Sequence, residues 1–497
     1  MEGAGGIVMV TLDAINMPHD DTQPLEIAET PLKFCTVTLS DVMSRGKRLE
    51  ASVFDVEAKQ ARAAVEQGKY PVKKIGGNYG LGSSYVCGRF KRIWVDRSDL
   101  PIFQPSSITE IFPKPDGYIS HKTQTNIDAL RVHKGQVLMT CSGTIGKVSY
   151  VSRTLDNQIF SHDLLRINTK NPDDAGYVYA YLKSYTGNKI LLTNSYGAVI
   201  THIEPEHLAT VPIPDAPVSI KKRINDLIVG SYEMRDESND LIEEATELLV
   251  KELQFPDIHD FKADLYKKSD GVSVFDVKLS KMNGRADASY HVPVVDEIIE
   301  HMRYYAAEVT TIGDKRVSKE VLLPPRFARV YVEEGYGSVL LGGKQIYELD
   351  PSGKKYISNS KHKDILGVLQ VHQNTILITR SGTIGKTVLV PKHWDKWIPS
   401  DDIIRIVPSD NSIAGFIYIF LQSEYGQELI NRYTYGSVIS HIDDNHVANV
   451  SVPFLKNAVV QRKINDLALE ANEKRYEAYK MEQQALRIVE NEVIYTR

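Results

Sequence analysis

Two stretches of the chain place mostly hydrophobic and small residues alternately four and three positions apart. The first stretch contains Ile220, Ile224, Leu227, Ser231, Met234, Ser238, Leu241, Ala245 and Leu248, and the second contains Val460, Ile464, Leu467, Ala471, Lys474, Ala478, Met481, Ala485 and Ile488. This spacing is a heptad pattern, which draws one stripe along an α-helix. The sequence therefore predicts two long helices of about 36 residues, ~54 Å each at 1.5 Å per residue.

A single helix with so narrow an apolar stripe is only marginally stable in water. We therefore expect the two helices to pack against each other. The alternative is that each helix packs on the domain that precedes it. The long polar stretches "EEATELLVKE" and "EANEKRYEAYKMEQQ" favour an exposed helix pair.

The rest of the chain alternates short apolar runs with glycine, proline, asparagine and aspartate. The runs "RIWV", "QVLMTC", "KVSYV" and "LLRI" are rich in β-branched and aromatic residues and predict strands of four to six residues. The stretches "AGYVYAYLKSYTGNKIL" (175–191) and "AGFIYIFLQSEYGQELI" (414–430) each predict one helix with aromatic residues on one face. The pattern predicts mixed α/β domains.

Much of the chain occurs twice, at an offset of 237 to 240 residues. The matching pairs are "LSDVMSRGKRLEAS" with "LSKMNGRADAS", "GRFKRIWV" with "PRFARVYV", "SGTIGK" (142–147) with "SGTIGK" (381–386), "SHDLLRI" with "SDDIIRI", "YGAVITHIEPEHLATVPIP" with "YGSVISHIDDNHVANVSVP", and "IKKRINDL" with "VQRKINDL". So long a period indicates a duplicated domain rather than a solenoid. Residues 56–87 and 293–324 share almost nothing, and we expect the halves to differ there.

Composition adds few constraints. With 497 residues, 42% hydrophobic and 25% charged, the chain is too long for one core and has ordinary globular proportions. A net charge of −5 excludes a uniformly basic protein but not local basic patches. The three cysteines form no CxxC pair, and no apolar run reaches membrane-spanning length. We expect a cytoplasmic protein without a membrane contact.

The repeated "SGTIGK" resembles a phosphate-binding loop only superficially. A Walker A loop needs a glycine five residues before the GK pair, and Cys141 and Arg380 occupy those positions. The flanking runs predict two strands joined by a glycine turn.

Other candidate chemistry is weaker still. Four histidines recur at a spacing of five, which suits helix caps or turns better than a metal pair on a helix; they are His202, His207, His441 and His446. The "SHDLLRI" motif and its copy predict a structural contact from Asp163 to Arg166 and from Asp402 to Arg405, with a one-sided hydrolytic role for His162 and Asp163 as the alternative. The sequence contains neither the Asp/Asn-Pro-Pro-aromatic motif of base methylation nor a glycine-rich S-adenosylmethionine loop.

The doubled "SGTIGK", the doubled "YG[AS]VI[TS]HI" and the "KRIND" or "RKIND" opening of each long helix resemble the specificity subunit of type I restriction-modification systems. The resemblance covers residues 33 to 490. It implies an α+β fold of two tandem mixed α/β target-recognition domains, joined by two long helices packed as an antiparallel coiled coil. The implied limits are 1–32 for an N-terminal segment, 33–214 for the first domain, 215–256 for the first helix, 257–274 for a linker, 275–454 for the second domain and 455–497 for the second helix.

The resemblance also implies function. Each domain would read one half of an asymmetric bipartite site on double-stranded DNA, while the helices set the spacing and dock two methyltransferase subunits, and a restriction and translocase subunit joins them. This chain would itself perform no catalysis and bind no cofactor or metal; S-adenosylmethionine, ATP and Mg²⁺ would bind to the partners. The alternatives are a non-catalytic scaffold of another defence complex without DNA specificity and a self-sufficient nuclease or methyltransferase.

Candidate DNA-binding residues follow from this comparison. Basic residues shared by the halves are expected to bind phosphates, with simple solvation as the alternative: Arg89 and Arg326, Arg92 and Arg329, Lys147 and Lys386. Polar residues that occur in only one half of the repeat are expected to read bases. They are Lys73, Lys74, Asn78, Lys122 and Gln124 in the first half, and Lys344, Gln345, Lys354, Lys355, Asn359 and Lys361 in the second. The repeated loops add Ser142, Thr144, Arg380, Ser381 and Thr383.

Overall fold

The structure is a computed structural model that describes residues 7–8, 36–44, 47–197, 200–263, 265, 267–269, 272–282 and 284–496. Cys35 and nearly all of the N-terminal segment 1–32 lie outside these residues. The chain divides into two compact units, of which the first comprises Met1–Thr109, Pro113–Tyr232 and Met481–Arg497, and the second Glu110–Phe112 and Glu233–Lys480. Each unit contains a portion of each long helix. The domain limits drawn from the sequence stay predictions.

The first unit contains short strands and helices. Its strands are Ile7–Val8, Thr36–Val37, Val72–Lys74, Gly82–Tyr85, Trp94–Val95, Pro101–Phe103, Gly117–Ile119, Val137–Thr140, Val148–Tyr150, Ile159–Phe160, Leu164–Thr169 and Pro212–Pro214. Its helices are Leu39–Ser44, Val56–Glu66, Ile127–Leu130, Ala175–Lys183, Tyr185–Leu192 and Pro205–Ala209.

The second unit repeats this inventory. Its strands are Lys267–Ser269, Val272–Val274, Glu308–Thr311, Ser318–Leu322, Tyr331–Val332, Gly337–Leu341, Lys355–Ser358, Ile376–Thr379, Thr387–Leu389, Ile398–Pro399, Ile403–Pro408 and Ser451–Phe454. Its helices are Ile258–Ala263, Pro293–Tyr305, Leu366–Leu369, Asn411–Gln422, Glu424–Asn431 and Asp444–Ala448. The prediction of a mixed α/β protein is confirmed.

Each unit has two four-stranded sheets with the same strand order. The antiparallel sheet runs Gly82–Tyr85, Leu164–Thr169, Val137–Thr140, Val148–Tyr150 in the first unit and Ser318–Leu322, Ile403–Pro408, Ile376–Thr379, Thr387–Leu389 in the second. The mixed sheet runs Ile159–Phe160, Pro101–Phe103, Gly117–Ile119, Trp94–Val95 in the first unit and Ile398–Pro399, Gly337–Leu341, Lys355–Ser358, Tyr331–Val332 in the second. The repeat seen in the sequence is therefore a repeat of topology.

The strand Val137–Thr140 shows why the central strands are apolar throughout. Successive side chains of a strand point to opposite faces of the sheet. Val137 and Met139 pack in the core that includes the helix Ala175–Lys183, whereas Leu138 packs with Phe103 and Phe160 of the mixed sheet. In the second unit, Ile376 and Ile378 likewise lie in one core and Leu377 in another. Because both faces are covered, a continuous apolar run replaces the usual alternation.

The predicted single helices over 175–191 and 414–430 are wrong, because each is two helices. Ser184 and Ser423 separate them, with extended ψ angles of 155° and 156°. Their hydroxyl groups accept hydrogen bonds from the N–H groups of Gly187 (3.1 Å) and Gly426 (3.2 Å). A serine in this position caps the N-terminus of a new helix.

The two long helices are Val218–Glu252 and Ala458–Ile488, the latter followed by a π-helical turn, Val489–Ile494. In the first unit, Arg223 forms an ion pair with Glu492. In the second unit, Lys474 pairs with Glu237 at 2.6 Å and Lys463 with Glu244 at 2.7 Å. Residue numbers rise along one helix as they fall along the other, so within each unit the helical segments run antiparallel.

Burial along the long helices follows the predicted stripe at Ile224, Ile464, Leu467 and Ile488 and at all of its small residues. The small residues are fully buried: Ser231, Ser238, Ala245, Ala471, Ala478 and Ala485. Leu227, Met234, Leu241 and Leu248 are half-buried, while Ile228 and Ile242 beside the stripe are buried. Each helix therefore packs on its neighbouring α/β core as well as on the other helix, and both sequence-based alternatives are partly realised.

A buried asparagine joins each long helix to an α/β core. The Oδ1 atoms of Asn225 and Asn465 accept hydrogen bonds from the backbone N–H groups of Gly176 (2.8 Å) and Gly415 (2.9 Å). A Cβ atom on Gly415 would lie 2.3 Å from the carbonyl oxygen of Asn465. The repeated "IND" and the repeated "AG" are thus the two sides of one contact.

The segments 56–87 and 293–324, which share almost no sequence, form equivalent elements. A helix, Val56–Glu66 or Pro293–Tyr305, precedes a strand that pairs with the strand before a long helix. An edge strand of the antiparallel sheet follows in both. The sequence difference is therefore not a difference of fold.

None of the helices among the described residues is apolar over a length that could cross a membrane.

Replacing Gly415 by alanine tests the helix contact. The added methyl group would overlap the backbone of Asn465, so we expect Gly415→Ala to destabilise the protein by about 1 to 3 kcal/mol, the usual range for overpacking. The measurement is thermal or urea unfolding of the full chain.

Gly367→Ala is the matched control, since Gly367 also lies in a helix and has no atom within 4 Å of an added Cβ. We expect it to leave the unfolding midpoint unchanged or slightly raised. Equal losses in the two variants would contradict the close helix contact.

Candidate nucleic-acid interface

The two "SGTIGK" segments form matching hairpin turns. In the first unit, Thr140 donates its N–H to the carbonyl of Lys147 and accepts a bond from Gly146, both at 3.0 Å. The φ angles of Gly143 and Gly146 are +72° and +79°, and those of Gly382 and Gly385 are +73° and +79°. These values lie in the left-handed region that glycine adopts readily. The predicted strand–turn–strand element is confirmed.

Each hairpin turn is fastened to the repeated "YG…HI" segment. Ile203 donates its N–H to the carbonyl of Cys141, and Ile442 donates to that of Arg380, both at 3.0 Å. The segment itself closes as a loop, because Tyr435 and His441 exchange two backbone hydrogen bonds of 2.9 and 2.7 Å. Two motifs that are distant in sequence thus form one surface in each unit.

Two of the four repeated histidines act as helix caps. The Nδ1 atoms of His207 and His446 accept the backbone N–H groups of Glu204 (3.2 Å) and Asp443 (3.3 Å) and complete capping boxes. His202 and His441 close the loops through their backbones, as predicted for a turn role. Within the described residues, no group of three His, Cys, Asp or Glu side chains could hold a metal ion.

The arginines of "SHDLLRI" and "SDDIIRI" are structural, but the predicted Asp–Arg contacts are wrong. Arg166 is fully buried and donates to the carbonyls of Leu164 and Leu130, each at 3.1 Å. Arg405 donates to the carbonyls of Val368 (2.6 Å) and Pro399 (2.8 Å).

The aspartates of these motifs have other partners. Asp163 lies 3.3 Å from His162, and Asp402 lies 3.8 Å from Arg380. Burial lowers the pKa of Arg405 to about 10, so its side chain stays charged at neutral pH. Its guanidinium group therefore remains a charged donor to the carbonyls of Val368 and Pro399.

The shared arginine pairs divide into anchored and free members. Arg92 donates to Ser161 at 2.9 Å and its guanidinium lies beside Trp94, while Arg329 pairs with Asp401 at 2.7 Å. Arg89 and Arg326 are exposed and form no ion pair or hydrogen bond with the described part of the chain.

Arg89 also lies within electrostatic range of the neighbouring loops. A hydrogen bond to Glu204 raises the pKa of Tyr196, and the charge of Arg89 opposes that rise. Desolvation lowers the pKa of His162, and Arg92 and Arg89 lower it further. Because Tyr196 begins the "YG…HI" loop, the arginine, "SHD" and hairpin motifs share one face of the first unit.

A turn that carries candidate residues found in only one half of the repeat adjoins this face. In the first unit, Ser120 donates its N–H to the carbonyl of Ile93 at 2.8 Å, and Lys122 and Gln124 follow, both exposed. In the second unit, Ser358 donates to the carbonyl of Val330 at 2.9 Å. Asn359 and Lys361 follow it; Lys361 is exposed, and Asn359 accepts a bond from Ser338 at 2.9 Å.

A short sequence signal marks this turn. The triplet "YIS" precedes it in both halves, at 118–120 and 356–358. Trp94 and Tyr331, both half-exposed on the adjacent edge strands, are further surface residues that sequence reasoning missed.

The hairpin candidates differ in exposure. Thr144 and Thr383 are exposed at the turns, whereas Ser142, Ser381 and Arg380 are half-buried. Lys147 is half-buried. Lys386 lies 3.6 Å from Glu110 and over the ring of Tyr347, at 4.7 Å from its centroid.

The remaining candidates lie on other elements. Lys73 pairs with Asp215 at 2.9 Å, and Lys74 and Asn78 follow it in and after the same strand. Asn78 precedes Gly82–Tyr85, so the glycine-rich stretch 76–84 ends in a strand.

In the second unit, Lys344 and Gln345 begin a short 3-10 helix. Gln345 accepts a bond from Gly342 at 2.8 Å, Lys354 pairs with Asp350 at 2.5 Å, and Lys355 lies over the ring of Tyr331. The structure therefore does not bring all predicted residues together.

Part of the second unit matches a known protein family. Residues 350–466 match the family described as the type I restriction modification DNA specificity domain. This part of the second unit is similar to a type I restriction-modification specificity domain. The matched residues include the second hairpin, the "SDD" motif, the "YG…HI" loop and Asn465, which confirms the resemblance drawn from the sequence.

Solved structures give a weaker comparison with whole specificity subunits. The S subunit of a type I system from M. genitalium is 14% identical over 86% of this chain and 96% of its own, with a TM-score of 0.31. The HsdS subunit from Thermoanaerobacter tengcongensis is 13% identical over 85% of this chain and 99% of its own, with a TM-score of 0.26. Scores this low do not establish a common arrangement of the whole chain. No curated protein matches the chain significantly.

Replacing Arg405 by methionine tests the structural role of this arginine in the specificity domain. The change leaves the carbonyls of Val368 and Pro399 without this donor, and an unsatisfied buried carbonyl costs about 1 to 3 kcal/mol. We expect a clearly lower free energy of unfolding, measured by urea denaturation. Arg326→Ala is the control, because a change at an exposed arginine without contacts is usually within ~0.5 kcal/mol of neutral. A neutral Arg405→Met would refute the structural role.

Proposed function

We propose that this chain is the DNA-recognition subunit of a type I restriction-modification complex. The observation that carries the proposal is the specificity domain at residues 350–466, together with the same hairpin, loop and arginine motifs in the first unit. Each unit would read one part of a bipartite site on double-stranded DNA. Because the turns after the "YIS" triplets differ, the two parts of the site are expected to differ.

The proposed contacts are of two kinds: some bind phosphates and position the DNA, and others read the bases. Arg89 and Arg326, exposed and unpaired among the described residues, would bind phosphates. Lys122 and Gln124 in the first unit, and Asn359 and Lys361 in the second, would read base edges, since lysine and carboxamide groups match the hydrogen-bonding groups of the major groove. The exposed turn threonines Thr144 and Thr383 would contribute hydrogen bonds beside them.

The anchored residues have a different role in this proposal. Arg92 and Arg329 would hold the surface in shape rather than bind DNA. Lys73, Gln345 and Lys354 have intramolecular partners, and an ion pair must be broken or shared before Lys73 or Lys354 can bind DNA. Their expected contribution is therefore smaller.

The long helices would set the distance between the two half-sites and dock the partners. With 35 and 31 residues, the helices span roughly 52 and 46 Å at 1.5 Å per residue, more than one turn of duplex DNA, about 34 to 36 Å. Two methyltransferase subunits and a restriction and translocase subunit are the proposed partners. Catalysis, and the binding of S-adenosylmethionine, ATP and Mg²⁺, would belong to those subunits and not to this chain.

Salt dependence of DNA binding tests the phosphate contacts. Each phosphate neutralised on B-DNA contributes about −0.9 to the slope of log affinity against log salt. We expect Arg326→Ala to weaken binding similarly for all sequences and to reduce the slope by about 1. Titration of a labelled duplex at several salt concentrations gives both quantities.

Arg303→Ala is the matched control, because Arg303 is an exposed arginine of the second unit that pairs with Glu300 on the helix Pro293–Tyr305 and is not among the proposed DNA contacts. It should keep the full slope. A slope near zero for the unchanged protein would instead favour the scaffold of another defence complex.

Methylated bases in a host that carries this gene test the two-part reading. We expect one asymmetric motif with two specified parts separated by unspecified bases. Exchange of residues 33–214 for those of a relative should change one part of the motif and leave the other. A palindromic motif, a change in both parts, or no motif at all would contradict the proposal.

A further inference from the structure

The tip of the "YG…HI" loop in the second unit presents two apolar side chains to solvent. Val438 is 95% exposed and Ile439 is 55% exposed, between Ser437 and Ser440. In the first unit, Ile200 stands at the position equivalent to Ile439 and is also 55% exposed. An exposed large aliphatic side chain loses the free energy that its burial would give, so these exposed side chains at the loop tip indicate a binding partner.

The base of this loop is tightly built. Tyr435 and His441 exchange two backbone hydrogen bonds, and Ile442 is bonded to Arg380 of the hairpin. Gly436 has a φ angle of +104°, and a Cβ atom on it would lie 2.3 Å from the carbonyl oxygen of Ile439. The tip is therefore held in place by a closed turn instead of being an open, unbonded loop.

The size of the apolar tip argues for DNA rather than for a protein partner. A stable protein interface buries about 800 Å² on each side, which two aliphatic side chains supply only in small part. One or two such side chains suffice, however, to enter a base step and unstack it. The surroundings agree with this, because Ser381 and Arg380 of the hairpin adjoin the base of the loop.

We propose that Val438 and Ile439 form an apolar wedge that enters a base step of the bound DNA and bends the duplex there. The inference rests on the proposed DNA-recognition function. The hairpin and Arg326 hold the phosphates on either side, and the wedge replaces part of the lost base stacking by apolar contact. In the first unit, Ile200 occupies the equivalent position in the loop that Tyr196 begins.

The test uses the full-length chain and a DNA duplex that carries the motif identified by mapping methylated bases. The base analogue 2-aminopurine is placed at successive positions of this duplex. Unstacking brightens this base, so we expect enhanced fluorescence at one step upon binding. The Val438→Ser/Ile439→Ser double variant should lose that enhancement and bind roughly 10-fold or more weakly. Because the variant removes no charge, its salt slope should equal that of the unchanged protein.

Val459→Ser is the matched control, since Val459 is 78% exposed but lies at the start of the second long helix. It should leave both fluorescence and affinity unchanged. The wedge is refuted if the double variant keeps the fluorescence enhancement, or if it binds DNA normally but fails to assemble with methyltransferase subunits in size-exclusion chromatography. Failure of the unchanged protein to bind any duplex would instead refute the proposed function itself.

Discussion

The contact between a buried asparagine and a glycine N–H determines where each long helix sits on its α/β core. Asn225 and Asn465 are almost completely buried, and a carboxamide in such a site must keep its hydrogen bonds. Gly176 and Gly415 meet this need because neither has a Cβ atom to hold the backbones apart. The helix that contains each glycine, Ala175–Lys183 or Asn411–Gln422, also covers the antiparallel sheet, so the helix, the sheet and the hairpin on that sheet form one connected framework. A recognition surface on a rigid framework loses less entropy on binding.

The sequence predicted the features that depend on local pattern or on repetition. The strand–turn–strand at "SGTIGK" follows from two apolar runs and two glycines, and the long helices follow from their spacing. The break at Ser184 and Ser423 was missed because the apolar pattern continues through it and only the cap geometry interrupts the helix. The partners of Arg166 and Arg405 were also missed, since they are backbone carbonyls brought together by tertiary structure and no side chain marks them.

Prediction of the surface was limited for a related physical reason. An exposed lysine in the sequence looks the same whether it faces solvent freely or pairs with a neighbour. Lys73 and Lys354 pair with aspartates, whereas Arg89 and Arg326 have no such partner among the described residues. The two turns after "YIS" combine a common position on the edge of the mixed sheet with different side chains. Variable residues on a constant frame are what two related recognition units require.

The two units have nevertheless diverged in their buried polar contacts. In the first unit, the fully buried Glu482 of the second long helix contacts Lys183 at 3.0 Å and the hydroxyl group of Tyr179. The position related by the repeat is Ile242, which packs in an apolar core of the second unit. A buried carboxylate is destabilising unless it is paired, and replacing its partner is more harmful than replacing the whole pair. Since Gln422 stands where the repeat would require the lysine, the carboxylate of Glu482 finds its cation in the first unit alone. At this position, therefore, the helix end that packs in the first unit differs from its equivalent in the second.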